Sequence, residues 1–133
     1  MYKEHYQKFV SSGDSLWVFH GDKHVFYSSD KMLLPMLRYL KEFEGFEGEI
    51  IIFDKIIGNA AALLMVIAKC VEAYSPLASK LALATLDAYG IKYHVDTIVP
   101  VIQRVGTDEI CPMEKLSTGK KPEELYELLK GLA

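Results

Sequence analysis

Residues 50 to 68 constrain this chain more than any other stretch. Ile50-Ile51-Ile52-Phe53 is apolar at every position, and three of its four residues are β-branched. A strand of that kind needs cover on both faces, as in the middle of an α/β sheet. A few residues later, Ala60 to Ala68 is apolar without a break. As a helix it has no polar side to give to water, so it is predicted to be buried all round. It is far too short to cross a bilayer. A central strand feeding a buried helix is the seed of a layered α/β domain.

The flanking sequence fills in the layers. Tyr2, His5, Tyr6, Phe9 and Val10 recur at helical spacing, and Gly13-Asp14 closes that helix. Ser15 to His20 and Lys23 to Ser28 have strand character, with Gly21-Asp22 as the hairpin turn between them. A helix is expected over Lys31 to Glu44, with Pro35 in its first turn. The buried helix is expected from Asn59 to about Glu72, then a short strand to Ser75. Ser75-Pro76 reads as an N-cap followed by proline at the first helical position, with Gly90 past that helix's end. Ile91 to Val95 alternates as a strand, and Thr97 to Ile102 reads as extended. Cys111-Pro112 opens a helical turn. Pro122 opens a last helix with Leu125, Leu128, Leu129 and Leu132 on one stripe. The order predicts a three-layer fold: a mixed sheet with an antiparallel hairpin edge and helices on both faces.

The chain's 133 residues suit a single domain, 1–133, with no repeat or linker inside it. Its net charge of -3 offers no basic field for a nucleic acid polymer, although a nucleotide-sized ligand stays open. Only two cysteines are present, and Cys70 follows an apolar stretch, which argues for a reducing, cytoplasmic setting over a disulfide framework. Residues 1 to 10 are too polar for a signal peptide, and no segment reads as a membrane span.

Two segments carry candidate chemistry. In the first, Asp54, Lys55, Gly58, Asn59 and Ala60 connect the central strand to the buried helix. Ligands of open α/β sheets gather at the carboxyl ends of strands, and a helix start there offers free N–H groups and partial positive charge. Asn59 reads as an N-cap, and the alanines permit close approach. The same residues also suit a plain strand-to-helix turn with Asp54 capping. In the second segment, Gln103-Arg104 leads through a loop to Cys111-Pro112-Met113-Glu114. Proline after Cys111 places the thiol at an N-cap, where the thiolate is favoured. Glu114 stands where a capping box would close. A buried cysteine in a capped turn accounts for the same letters. His20 and His24 flank the hairpin turn and could approach each other, but no carboxylate or cysteine accompanies them at metal-ligand spacing.

Asp54-Lys55-x-x-Gly58-x-Ala60-Ala61 together with Cys111-Pro112-Met113-Glu114 resembles the uncharacterised bacterial family named domain of unknown function eighteen-ninety-three. The likeness runs from about Ser15 to Leu116. It implies the cytidine deaminase-like fold and carries no reaction. Zinc deaminases of that fold group use His/Cys-x-Glu and Pro-Cys-x-x-Cys at two helix starts. Here Asn59 would stand in place of the metal ligand, Ala61 in place of the catalytic glutamate, and Cys111-Pro112 keeps one cysteine in inverted order. Neither His-x-Glu nor Cys-x-x-Cys occurs in the chain, so no metal and no cofactor is expected.

The leading expectation is therefore a small-ligand-binding domain that reuses a deaminase-like pocket without zinc. Asp54, Lys55, Gly58, Asn59, Ala60 and Arg104 would contact an unidentified small molecule, nucleotide-like by fold analogy. One alternative is a thiol-dependent enzyme with Cys111 as nucleophile and Glu114 or Asp54 assisting. Another is a homo-oligomeric interaction module using the aromatic N-terminal helix or the hairpin edge.

Overall fold

The computed structural model describes residues 2–103 and 106–133. The elements, in chain order, are α1 (Lys3–Ser11), β1 (Leu16–His20), β2 (Lys23–Ser28), α2 (Leu34–Glu42), β3 (Ile50–Asp54) and α3 (Asn59–Ile67). After them come β4 (Glu72–Ser79), α4 (Lys80–Ala88), β5 (Lys92–Val99), α5 (Pro112–Ser117) and α6 (Pro122–Leu129), with a 3-10 turn over Lys130–Leu132. The five strands form one mixed sheet in the order β2-β1-β3-β4-β5. β1 pairs antiparallel with β2 and with β3, while β3/β4 and β4/β5 are parallel. Gly21 makes the hairpin turn at φ +62, a conformation glycine adopts without the Cβ penalty.

Alternation along the strands sends side chains to two unequal cores. Leu16, Val18, Ile50, Ile52 and Ala73 join the helices α2, α3, α4 and α6 on one face. Phe19, Ile51 and Phe53 meet Phe9 of α1 and Tyr2 just before it on the other. The apolar run of β3 is explained: Ile50, Ile51, Ile52 and Phe53 are all buried, two on each face. The helix α3 lies against α2 and α4 and is also packed by α5 and α6, so no flank of its first seven residues is left for water.

Several boundaries differ from the sequence expectation. The helix α3 stops at Ile67, well before Glu72, because Lys69 takes a left-handed conformation at φ +62 and turns the chain into β4. Cys70 consequently sits beyond the helix, still buried. Ser75-Pro76 is not a helix start. Pro76 lies inside β4, where it can go without an N–H because the β3 ladder ends at Phe53↔Tyr74. From there Ile57 takes over as β4's partner, through Ile57 N–H to the Leu77 carbonyl (2.9 Å) and Ser79 N–H to the Ile57 carbonyl (3.1 Å). The true N-cap is Ser79, whose hydroxyl accepts from the Ala82 N–H at 3.1 Å. The helix α2 is shorter at both ends than Lys31 to Glu44. The last leucine stripe is half realised: Leu125 and Leu129 are buried, while Leu128 and Leu132 face solvent.

On the α1 face one pairing row crosses the entire sheet: Tyr27, Trp17, Phe53, Tyr74 and His94 stand opposite one another on successive strands. The rings of Phe53, Tyr74 and His94 stack nearly parallel, with centroids 5.0 Å and then 4.4 Å apart.

Candidate functional site

The starts of α3 and α5 do come together, and the chain itself fills the place where they meet. Glu114, on the first turn of α5, is buried. Its Oε1 accepts from the Asn59 N–H at 2.7 Å and from the Ser79 hydroxyl at 3.2 Å; its Oε2 accepts from the Ile102 N–H at 2.6 Å. The carboxylate thus sits on the N-terminus of α3, where free N–H groups and the helix dipole favour an anion. The capping box expected within its own helix does not form, because Glu114 reaches across to another helix.

Asn59 is the first helical residue of α3, not its N-cap; Gly58 holds the cap position. A buried amide needs partners for both its ends. Its Nδ2 donates to the Ser117 carbonyl (3.2 Å) and hydroxyl (3.1 Å), and its Oδ1 accepts from the Thr85 hydroxyl. Gly58 is small because of this junction: a Cβ there would lie 3.3 Å from Ile102 Cγ1 and 3.5 Å from Glu114 Oε1. Ala60 packs into the core beside it. Ser79, Thr85 and Ser117 are members of this network that the sequence reading missed. Ser79 and Ser117 are fully buried, and nothing in their local sequence marks them as members. Every buried side-chain N and O among the described residues has a partner.

Lys55 lies on the opposite side of the sheet. Its ammonium donates to the Ser12 and Asp14 carbonyls, both at 2.8 Å, and sits 4.8 Å from the Phe9 ring centre. It therefore anchors the chain that follows α1, at a distance from the Asn59 junction that a shared ligand contact would have to span. Arg104 lies outside the described residues. Cys111 is half-buried at the N-cap of α5, and its N–H donates to the Ile102 carbonyl at 2.8 Å. Both Glu114 oxygens are bonded to α3, Ser79 and Ile102 rather than turned to the Cys111 thiol. Burial pushes the Cys70 thiol up to about 12, and it donates to the Glu72 carbonyl. His20 and His24 do not approach each other: His20 bonds the Tyr39 hydroxyl on the α2 side at 2.6 Å, and His24 stacks on Phe19 on the α1 side.

Asp54 differs from its neighbours in being largely uncommitted. It ends β3, and its Oδ1 accepts from the Ile56 N–H at 3.2 Å, a local turn bond. Burial pushes its carboxyl up to about 7. It lines a cavity of about 20 Å³ shared with Ser15, Met32, Leu33, Pro35 and Ala61. This cavity lies between the starts of α2 and α3. Met32, at its mouth, is exposed and takes φ +59, an uncommon conformation for a residue with a side chain. Among the described residues, no three His, Cys, Asp or Glu side chains group closely enough to hold a metal ion, and no helix is long and apolar enough to cross a membrane.

Fold and site together define a mixed α/β fold with a self-filled helix junction and, at the end of its central strand, a carboxyl that takes a local turn bond from the Ile56 N–H and lines a cavity. The family described as "Domain of unknown function (DUF1893)" matches residues 5–132, and the chain belongs to that family. It is similar to a DUF1893 family protein of known crystal structure, TM1506 from Thermotoga maritima, with 27% identity and a TM-score of 0.87 over 98% of this chain and 88% of that one. No curated protein matches the chain.

Proposed function

We propose that this protein is a small-ligand-binding domain of cytidine deaminase-like fold that works without zinc, and that its ligand engages Asp54. The observation that carries this reading is the Asp54 carboxyl itself: pushed up to about 7 by burial, bonded once, and turned to a cavity at the carboxyl end of the central strand. Strongly shifted groups facing a cleft are enriched at functional sites. Ligands of α/β sheets gather at this end of the strands. The order β2-β1-β3-β4-β5, with α2 and α3 starting beside the same cavity, supports the fold assignment. A carboxyl near half protonation at neutral pH can donate or accept, so it suits a donor–acceptor edge such as the amide or amidine of a nucleobase-like ring. The cavity holds about one water. A ligand would therefore insert one small polar group and rest the remainder at the mouth, against the exposed side chains of Met32 and Ile56.

A thermal-shift screen of small metabolites tests this. A true ligand at a hundredfold its Kd adds about 2.7 kcal/mol of stability. Asp54→Ala should abolish that gain, while Asp54→Asn, which keeps shape and a donor–acceptor pair, should retain part of it. Stabilisation that is equal in wild type and Asp54→Ala would overturn the assignment, and so would a screen in which nothing stabilises the wild type.

A further inference from the structure

The opposite face of the sheet holds an unfilled groove. α1, with Tyr2 just before it, covers the β1–β3 half, through Tyr2 and Phe9 over Phe19, Ile51 and Phe53. Tyr2 and Tyr6 reach on to Tyr74 of β4 and Tyr6 to Asp96 of β5, and beside these contacts an open groove of about 510 Å³ remains, lined by Tyr2, Lys3, Tyr6, Tyr74, His94 and Asp96 among others. Its floor is the outer end of the stacked row Phe53–Tyr74–His94. β5 is the sheet's edge, so the His94 ring has Tyr74 on one face and no strand beyond the other; its side chain is 55% exposed. The stack ends on a ring whose outer face is free.

Asp96 lines the groove, and Glu72 and Glu49 stand beside it as partners of lining side chains. The Tyr6 hydroxyl donates to Asp96 Oδ2 at 2.5 Å, tying α1 to β5. Glu72 Oε2 is bonded by His94 Nε2 at 2.5 Å and by the Tyr74 hydroxyl at 3.3 Å. Each carboxylate keeps its second oxygen without a bond among the described residues. Glu49, which accepts from the Tyr2 hydroxyl at 3.3 Å, adds a third negative group. Lys3 is the one cation in the lining. Aromatic faces beside acceptor-only oxygens favour a flat ring that carries positive charge and N–H donors.

We infer that this groove binds a planar organic cation, an aromatic or heteroaromatic ring with an amidine- or amine-type edge. The ring lies against His94 as the next member of the row, and its N–H groups donate to the free oxygens of Asp96 and Glu72. This site is on the far side of the sheet from Asp54 and does not depend on the reading given there.

Benzamidine is a suitable probe, with neutral benzamide as its near-isostere. Titration followed through the ring resonances of Tyr6, Tyr74 and His94 should show saturable shifts with benzamidine. Benzamide should bind at least about tenfold more weakly, the size expected when a charge-assisted hydrogen bond becomes a neutral one. Asp96→Asn and His94→Ala should each weaken benzamidine by about tenfold or more while leaving the far-ultraviolet spectrum unchanged, and Asp54→Ala should have no effect on it. Equal binding of the two probes, undiminished binding in both groove variants, or no saturable shift at millimolar benzamidine would overturn the proposal.

Discussion

Replacing Glu114 with alanine removes the carboxylate at the α3–α5 junction and leaves its donors behind. In the native protein the Glu114 carboxylate takes hydrogen bonds from the Asn59 N–H, the Ile102 N–H and the Ser79 hydroxyl at 2.7, 2.6 and 3.2 Å. The Ser79 hydroxyl can rotate, but the two backbone N–H groups have nowhere else to go. A net hydrogen bond to a charged group is worth roughly 1.5–3 kcal/mol, and stranding a buried donor costs roughly 1–3. The three bonds are not independent, so about 3–5 kcal/mol is the expected total for Glu114→Ala. For a domain of this size that corresponds to a fall in Tm of roughly 10–20 °C. Glu114→Gln keeps the shape but points an NH2 group at an N–H donor, and should cost less, about 2–3 kcal/mol. Urea denaturation followed by far-ultraviolet circular dichroism measures both. Amide exchange gives a local readout, in which the Asn59 and Ile102 amides should lose protection in Glu114→Gln before the centre of the sheet does. A cost under about 0.5 kcal/mol for Glu114→Ala would refute the claim that this carboxylate holds the two helix starts together.

Asp54 makes stability depend on pH in a direction opposite to an ordinary paired carboxylate. Its folded pKa lies above its unfolded one, so the native state binds the extra proton between about pH 4 and 7, and stability falls as pH rises through that window. The residue keeps some solvent contact, so roughly 2 kcal/mol is the expected size; in Asp54→Asn the slope should shrink and stability at pH 8 should rise, and an unchanged slope in denaturation curves would count against the assignment. Leu64 is fully buried in α3, and Leu64→Ala should cost roughly 2–5 kcal/mol in the same assay. Alkylation at neutral pH followed by mass spectrometry should label half-buried Cys111 more than about tenfold faster than Cys70, which is buried with its thiol pushed up to about 12; equal rates would show that Cys70 is more accessible than its packing allows.

The parts of the fold legible in the sequence were those written in local pattern. Ile50 to Phe53 could only be a strand covered on both faces, and Ala60 to Ala68 could only be a buried helix, because in each case no polar side exists to meet water. The hairpin at Gly21-Asp22 and the proline-led starts of α5 and α6 were equally local. Tertiary structure decided everything that depended on which distant group supplies a hydrogen bond. Ser75-Pro76 has the letters of a helix start, yet Pro76 falls in a strand because its missing N–H lands where the β3 ladder has already ended and Ile57 takes over further along. Glu114 has the spacing of a capping box, yet it caps α3, whose N-terminus lies 55 residues earlier in sequence and alongside in space. Asn59, Ser117 and the α4 pair Ser79 and Thr85 come from three separate parts of the sequence and share one network. Asp54 and Lys55 are adjacent, yet the alternation of a strand sends one toward the α2–α3 cavity and the other to α1. Spacing can propose a polar residue's role, but the partner that satisfies it is chosen by packing.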